Sequence, residues 1–286
     1  MTRIFLFLMW LAQWLPMSLL ALLGKALGRV LYVLVPERRH VTLTNLSLCF
    51  PQMPAHEKST LAIRHLTAFG RSFLERGLCW WASAQRFRRL VRLEGMEHLR
   101  ACAGQPVILF APHFVGLDMG WTRLCMEIDM ISMYSNQKNA VFNHHLRAGR
   151  LRFGRSVLVS RQEGLRPVVK ALKAGTPFYY LPDMDYGRDE SIFVPFFGVS
   201  TATIPGLSRL AAMTGAKVLP VITHMDADGW TVRIAPPWES FPTEDIEADT
   251  RRMNAVIEGE IANAPEQYLW MHKRFKTRPP GEKGVY

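Results

Sequence analysis

The sequence predicts an α/β fold, a mostly parallel sheet flanked by helices, entered through an N-terminal hydrophobic membrane segment. Three observations carry that prediction. Short apolar runs of strand length recur along the chain, helical patterns fill the gaps between them, and the first two dozen residues hold a long stretch without a charge. With 286 residues and 49% apolar side chains, the chain is long enough for a sizeable core.

From Ile4 to Gly24 no residue is charged, and as a helix that stretch spans about 30 Å of hydrocarbon. Gln13 and Pro16 interrupt it, and Lys25 and Arg29 punctuate a further apolar run to Val35. Two readings stay open: a spanning helix, or a bent interfacial segment whose two cations snorkel. A cleaved signal peptide fits poorly, because the apolar region is too long and no small-x-small site follows it. Only Arg3 precedes the segment, whereas Lys25, Arg29, Arg38 and Arg39 follow it, which places the bulk of the chain on the cytoplasmic side. The division expected is a membrane anchor over 1–35 and one domain over 36–286. Cys49, Cys79, Cys102 and Cys125 show no CxxC spacing, as suits a cytoplasmic domain without disulfides. A net charge of +11 asks for an anionic partner.

Residues 37–54 read as a polar, basic connector. Pro54 then opens a helical pattern to about Trp81, with Leu61, Phe69 and Phe73 at core spacing. Strands are expected at 106–112, 129–135, 155–160, 177–183, 216–223 and 230–237. Helices are expected at 116–127, 140–154, 165–175 and 204–215, with a longer one from about Glu244 to Ala264.

The chemistry suggested lies at VILFAPHFVGLDMG (107–120), where a buried strand ends on His113 and Asp118 follows five residues later. HxxxxD spacing alone is weak evidence, so position must decide. The C-terminal edge of an open α/β sheet is where ligands bind, and a helix start there offers N–H groups to an oxyanion. The two side chains meet if His113 precedes the first turn and Asp118 lies within it. A carboxylate on the second imidazole nitrogen then holds the tautomer that accepts a proton. The bland reading, a merely hydrogen-bonded histidine, stands equally at this point. Other chemistries fare worse. Gly206-Leu207-Ser208-Arg209-Leu210 lacks the second Gly of GxSxG, His144–His145 lack HExxH or a Cys pair, and neither GxGxxG nor GxxxxGK[ST] occurs.

Six stretches together resemble the lipid A late acyltransferases, the lauroyl/myristoyl transferases of lipopolysaccharide synthesis: RRHVTLTNLSLCFP (38–51), PHFVGLD (112–118), the helix carrying Arg150, LPDMDYGRDESIFVPFFG (181–198), GAKVLPV (215–221) and EQYLWMHKRFKTRP (266–279). They cover nearly the whole soluble part in order. Asp118 stands where many members have Glu. The resemblance implies a fold like that of glycerol-phosphate acyltransferases, His113 and Asp118 as catalytic residues, and no metal or organic cofactor. It implies acyl carrier protein as donor and a hydroxyacyl chain of a phosphorylated lipid A precursor as acceptor, at the cytoplasmic side of the cell inner membrane. Arg150 matches a functional family arginine, turned to a lipid phosphate or an oxyanion rather than lying on a solvated basic face with Arg147, Arg152 and Arg155. Asp183 or Asp185 matches a family aspartate expected to bind substrate. Asp183 is favoured because it follows its strand directly, and an Asx turn before Gly187 is the plain alternative.

Glu163 in SRQEGLR reads as an N-terminal helix acid. FVPFFG (193–198) fits either an acyl groove or plain core. The basic–aromatic tract of Lys273, Arg274, Phe275, Lys276 and Arg278 suits a membrane surface or acidic carrier protein better than nucleic acid. The competing functions are another HxxxxD phospholipid or glycolipid acyltransferase, and a non-catalytic protein that binds anionic lipid.

Overall fold

The computed structural model describes residues 2–286. Helices α1 (Thr2–Ala12) and α2 (Met17–Leu34) are separated at Gln13–Pro16, where proline supplies no N–H to continue the ladder. The charge-free stretch is therefore bent. Helix α3 (Pro36–Cys49) replaces the expected connector, with proline in its first turn. Its polar sequence hid one buried face, Val41, Thr42, Asn45, Leu46 and Cys49, spaced as a helix requires. Helix α4 (Ala55–Trp81) runs as expected from Pro54. Helix α5 (Ala84–Leu90), capped by Ser83, strand β1 (Val91–Glu94) and helix α6 (Met96–Ala101) follow, none of which the sequence pattern revealed.

From there strand and helix alternate: β2 (Val107–Phe110), α7 (Leu117–Cys125), β3 (Ile131–Tyr134), α8 (Ala140–Arg150), β4 (Val157–Ser160), α9 (Arg166–Lys173) and β5 (Phe178–Tyr180). A hairpin of β6 (Ile192–Phe196) and β7 (Val199–Thr203) stands apart, before α10 (Gly206–Thr214), β8 (Lys217–Met225), β9 (Trp230–Ile234) and α11 (Ile246–Asn263). The main sheet has seven strands in the order β1-β9-β8-β2-β5-β3-β4. Only the β8–β9 pairing is antiparallel, so the mostly parallel expectation holds. Strand β2, near the centre, is buried on both faces. Val107 and Leu109 enter the core on the side of α4 and α7, while Ile108 and Phe110 enter the core beneath α9, α10 and α11.

Helix α2 is built into the molecule along α4. A Cβ placed on Gly24 would lie 2.4 Å from the Arg71 Cα, and one on Gly28 would lie 2.4 Å from the Thr67 Cα, so only glycine permits this approach. The opposite faces of α1 and α2 and the turn between them are apolar and bare: Ile4, Phe7, Leu8, Trp14, Leu22 and Val33 are all exposed. Lys25 and Arg29 are exposed among them.

Beneath the seam with α2 lies a buried ion pair. Arg71 Nε donates to Glu75 Oε1 at 2.5 Å, and Trp230 Nε1 donates to Glu75 Oε2 at 2.6 Å. Burial raises the Glu75 pKa against the pull of Arg71.

Candidate active site

The central geometry follows from strand register. Strands β2 and β5 are parallel neighbours with Phe110 opposite Tyr180. Three residues beyond each partner lie His113 and Asp183, delivered side by side at the C-terminal edge of the sheet. His113 Nδ1 lies 2.7 Å from Asp183 Oδ1, and the His113 N–H donates to Asp183 Oδ2 at 2.9 Å. A carboxylate anion only accepts, so Nδ1 carries the proton and Nε2 holds the lone pair. Among the described residues nothing from the protein bonds to Nε2. The Asp183 side chain is 1% exposed and that of His113 16%. Burial alone would raise the Asp183 pKa, but the imidazole nearby and the hydrogen bonds from its Nδ1 and from the His113 backbone N–H lower it.

The loop that carries His113 is held by the C-terminal segment. Leu269 N–H donates to the His113 carbonyl at 2.9 Å, Val115 N–H to the Gln267 carbonyl at 2.8 Å, and Phe114 bridges Tyr268. The amides of His113, Phe114, Val115 and Leu117 all have protein acceptors. Gly116, at the start of α7, carries the one amide of residues 113–117 without a protein acceptor among the described residues.

Asp118 does not hold His113. It sits in the first turn of α7, rotated toward α4 and α8, where two guanidiniums take its carboxylate. Arg76 Nε lies 2.8 Å from Oδ2; Arg150 Nε and Nη2 reach Oδ1 at 2.8 and 2.7 Å. Burial would raise the Asp118 pKa, yet Arg150 and Arg76 outweigh it and bring it down to about 2. The expected His113–Asp118 contact is thus replaced by a His113–Asp183 pair and a separate cluster of Asp118 with two arginines. A one-turn offset is enough to aim the acid away from the strand end. Arg150, the last residue of α8, does turn inward, while its carbonyl accepts from Trp121 Nε1 at 2.8 Å.

Asp183, expected to bind substrate, instead partners the histidine. Asp185, also expected to bind substrate, closes the turn that was its plain alternative. Its carboxylate accepts from Gly187 N–H at 2.9 Å and from the Thr277 N–H and hydroxyl at 2.7 and 2.8 Å. These bonds fasten the C-terminal segment and leave Asp185 only 6% exposed. The basic–aromatic tract is likewise no open patch. Arg274 is buried, donating to the Ala202 carbonyl and Thr203 hydroxyl, and Arg278 donates to the Ser200 carbonyl, so both staple the β6–β7 hairpin. Lys273 pairs with Glu37. In FVPFFG, Val194 and Phe196 are core. Glu163 closes a capping box with Ser160, as a helix-start acid does.

Two features escaped the sequence. Arg76 extends the stripe Phe69, Phe73, Arg76 along α4, and a cation that continues an apolar stripe was the available signal. Tyr268 lies buried beside Asp183; burial first and that carboxylate next hold its hydroxyl pKa well above the usual value.

An imidazole with one nitrogen held by a buried carboxylate and the other free, at the carboxyl edge of an open sheet, is able to act as a general base of the kind acyl transfer needs. Comparison with known proteins makes this specific. The chain belongs to the bacterial lipid A biosynthesis acyltransferase family, whose model matches residues 1–277. It is 35% identical to the lipid A biosynthesis lauroyltransferase of Escherichia coli K12 over 97% of this chain and 92% of that protein. It is 34% identical to the palmitoleoyltransferase of the same strain over 97% and 92%, and 31% identical to its myristoyltransferase over 94% and 83%. The crystal structure of a 1-acyl-sn-glycerophosphate acyltransferase from Thermotoga maritima superposes with TM-score 0.41 and 17% identity over 86% of this chain and 96% of that one. This protein is therefore an acyltransferase of lipid A biosynthesis, a family whose members differ in the acyl chain they are named for.

Proposed function

We propose that the enzyme moves a fatty acyl chain of the lauroyl/myristoyl class from acyl carrier protein to the 3-hydroxyl of a hydroxyacyl chain on a phosphorylated lipid A precursor. His113 Nε2 takes the hydroxyl proton as that oxygen attacks the thioester carbonyl. The two events are concerted, because an aliphatic alcohol is far less acidic than imidazolium. Asp183 holds the Nδ1 tautomer and stabilises the imidazolium that forms. The tetrahedral oxyanion is met by the Gly116 N–H. Collapse breaks the carbon–sulfur bond, and His113 returns the proton to the departing thiolate. No acyl-enzyme forms.

The reading extends to location. The bare apolar faces of α1 and α2, with Lys25 and Arg29 among them, suit a segment lying in the headgroup region of the inner membrane on its cytoplasmic side. A helix locked by glycines to α4 of the catalytic body favours this bent, interfacial arrangement over a free spanning helix.

The observation that carries the function is the free Nε2 of His113 opposite a buried carboxylate on Nδ1. The test combines purified enzyme in detergent with acyl carrier protein thioesters of graded length and a lipid A precursor, followed by mass spectrometry. One acyl increment on the lipid, absent with His113→Ala, is expected. Failure of the wild type to acylate the lipid with every thioester overturns the proposal.

A further inference from the structure

Arg76 and Arg150 arrive from different helices, α4 and α8, and meet across one carboxylate. Two cations against one anion leave the cluster a surplus positive charge. Asp118 accepts from the Nε of Arg150, with its Nη2 at 2.7 Å, and forms an ion pair with Arg76, whose buried Nε lies 2.8 Å away but outside hydrogen-bond geometry. Among the described residues no protein acceptor receives either Nη group of Arg76 or the Nη1 of Arg150. The side chains of Arg76 and Arg150 remain 22% and 21% exposed, so these donors are reachable from outside. Planar forks with free N–H groups, already oriented by a shared carboxylate, match the oxygens of a phosphate ester.

The surroundings indicate the phosphate's origin. The Arg76 guanidinium lies over the Phe73 ring at 5.5 Å, and Phe73 stacks on Phe5 of α1 at 5.5 Å. The other face of α1 carries Ile4, Phe7 and Leu8, part of the bare apolar surface. The pair of arginines thus connects through Phe73 and Phe5 to the helix that carries that face. We propose that Arg76, with Arg150, binds a phosphate group of the lipid acceptor, and that Asp118 serves as the strut that holds the two guanidiniums apart and aimed. This rests on the acceptor class assigned above. The other source of the same chemistry is the phosphodiester of the carrier protein's pantetheine arm.

The experiment uses Arg76→Gln and Arg76→Lys in full-length protein, with the precursor in native and phosphatase-treated forms. Equilibrium binding to the two lipids is measured in detergent on a His113→Ala background, and steady-state transfer is measured with His113 intact. Arg76→Gln is expected to weaken binding of the phosphorylated lipid about tenfold or more, as loss of a charge-assisted contact does, with little change for the dephosphorylated lipid. In transfer, KM for the acceptor rises while KM for the carrier thioester holds, and Arg76→Lys recovers part of the loss. Equal weakening on both lipids overturns the proposal, as does a rise confined to the carrier's KM. Because the binding arm needs no turnover, phosphate-dependent binding that requires Arg76 supports the site even where acyl transfer is not detected.

Discussion

Asp118 and Asp183 are both buried, both anionic and both near the carboxyl edge of the sheet, yet they face opposite chemistry. Asp183 meets one imidazole, a partner whose charge changes during a proton transfer. Asp118 meets two guanidiniums, whose charge never changes. The first pairing suits turnover and the second suits holding. The difference teaches that an acid spaced from a histidine along a helix gains its role from what surrounds it, and that the histidine takes its partner from the neighbouring strand.

The largest effect expected is from His113→Ala, which should cut kcat by about 10³–10⁴-fold, the scale of a lost general base, while the variant still binds lipid. Asp183→Asn should follow at about 10²–10³-fold in kcat, because an amide can donate to Nδ1 and strand the imidazole in the wrong tautomer. If Asp118→Asn lowered kcat as far as Asp183→Asn does, the contrast between the two acids would be lost.

Acid should act mainly through two other histidines. His65, fully buried with its Nδ1 at the Glu266 carbonyl, and His272, whose Nε2 faces the Asp185 N–H, are both pushed down by burial to a pKa of about 4. Below the usual 6.5 the unfolded chain takes up protons that the folded one refuses. Stability is therefore complete above pH 6.5 and falls as pH drops toward 4, by roughly 3 kcal/mol for each histidine. Urea melts from pH 7.5 to 4.5 check this; a flat profile contradicts it, and His65→Gln should flatten it in part.

Gly28→Val should cost about 1–3 kcal/mol by prising α2 from α4, read as a lowered denaturation midpoint and poorer recovery in the membrane fraction. Asp118→Asn should cost a comparable amount, about 2 kcal/mol, from the carboxylate whose pKa is held at about 2 instead of 3.8. That contribution is present above pH 3.8 and disappears as pH falls through 2, so the wild type and Asp118→Asn should converge in strong acid.

Much of this was legible in the residues. The expected strands and helices from 107 onward match their elements within a few residues, because apolar periodicity there reports burial directly, but the β6–β7 hairpin was missed, its FVPFFG stretch being read as groove or core rather than strand. Helix α3 was not legible as a helix, since its exposed face is basic and its buried face includes Thr42 and Asn45. Asn45 is buried because its amide donates to the Trp270 and His272 carbonyls at 2.7 Å, more than two hundred residues away. His113, Arg150 and Asp183 were singled out in the sequence as candidates, and the structure pairs the first with the third; which acid meets the imidazole was not legible. That depends on β5 lying beside β2, a long-range pairing with no local trace. Arg274 and Arg278 looked like a surface tract for the same reason: the carbonyls they cap come from β7, some seventy residues earlier.

The central claim is that Asp183, and not Asp118, holds the Nδ1 proton of His113. Proton NMR of enzyme labelled with ¹⁵N-histidine tests it directly through the downfield Nδ1–H resonance of a carboxylate-bound imidazole, assigned by its loss in His113→Ala. The resonance should persist in Asp118→Asn and vanish or move far upfield in Asp183→Asn. Persistence in Asp183→Asn together with loss in Asp118→Asn would contradict the account.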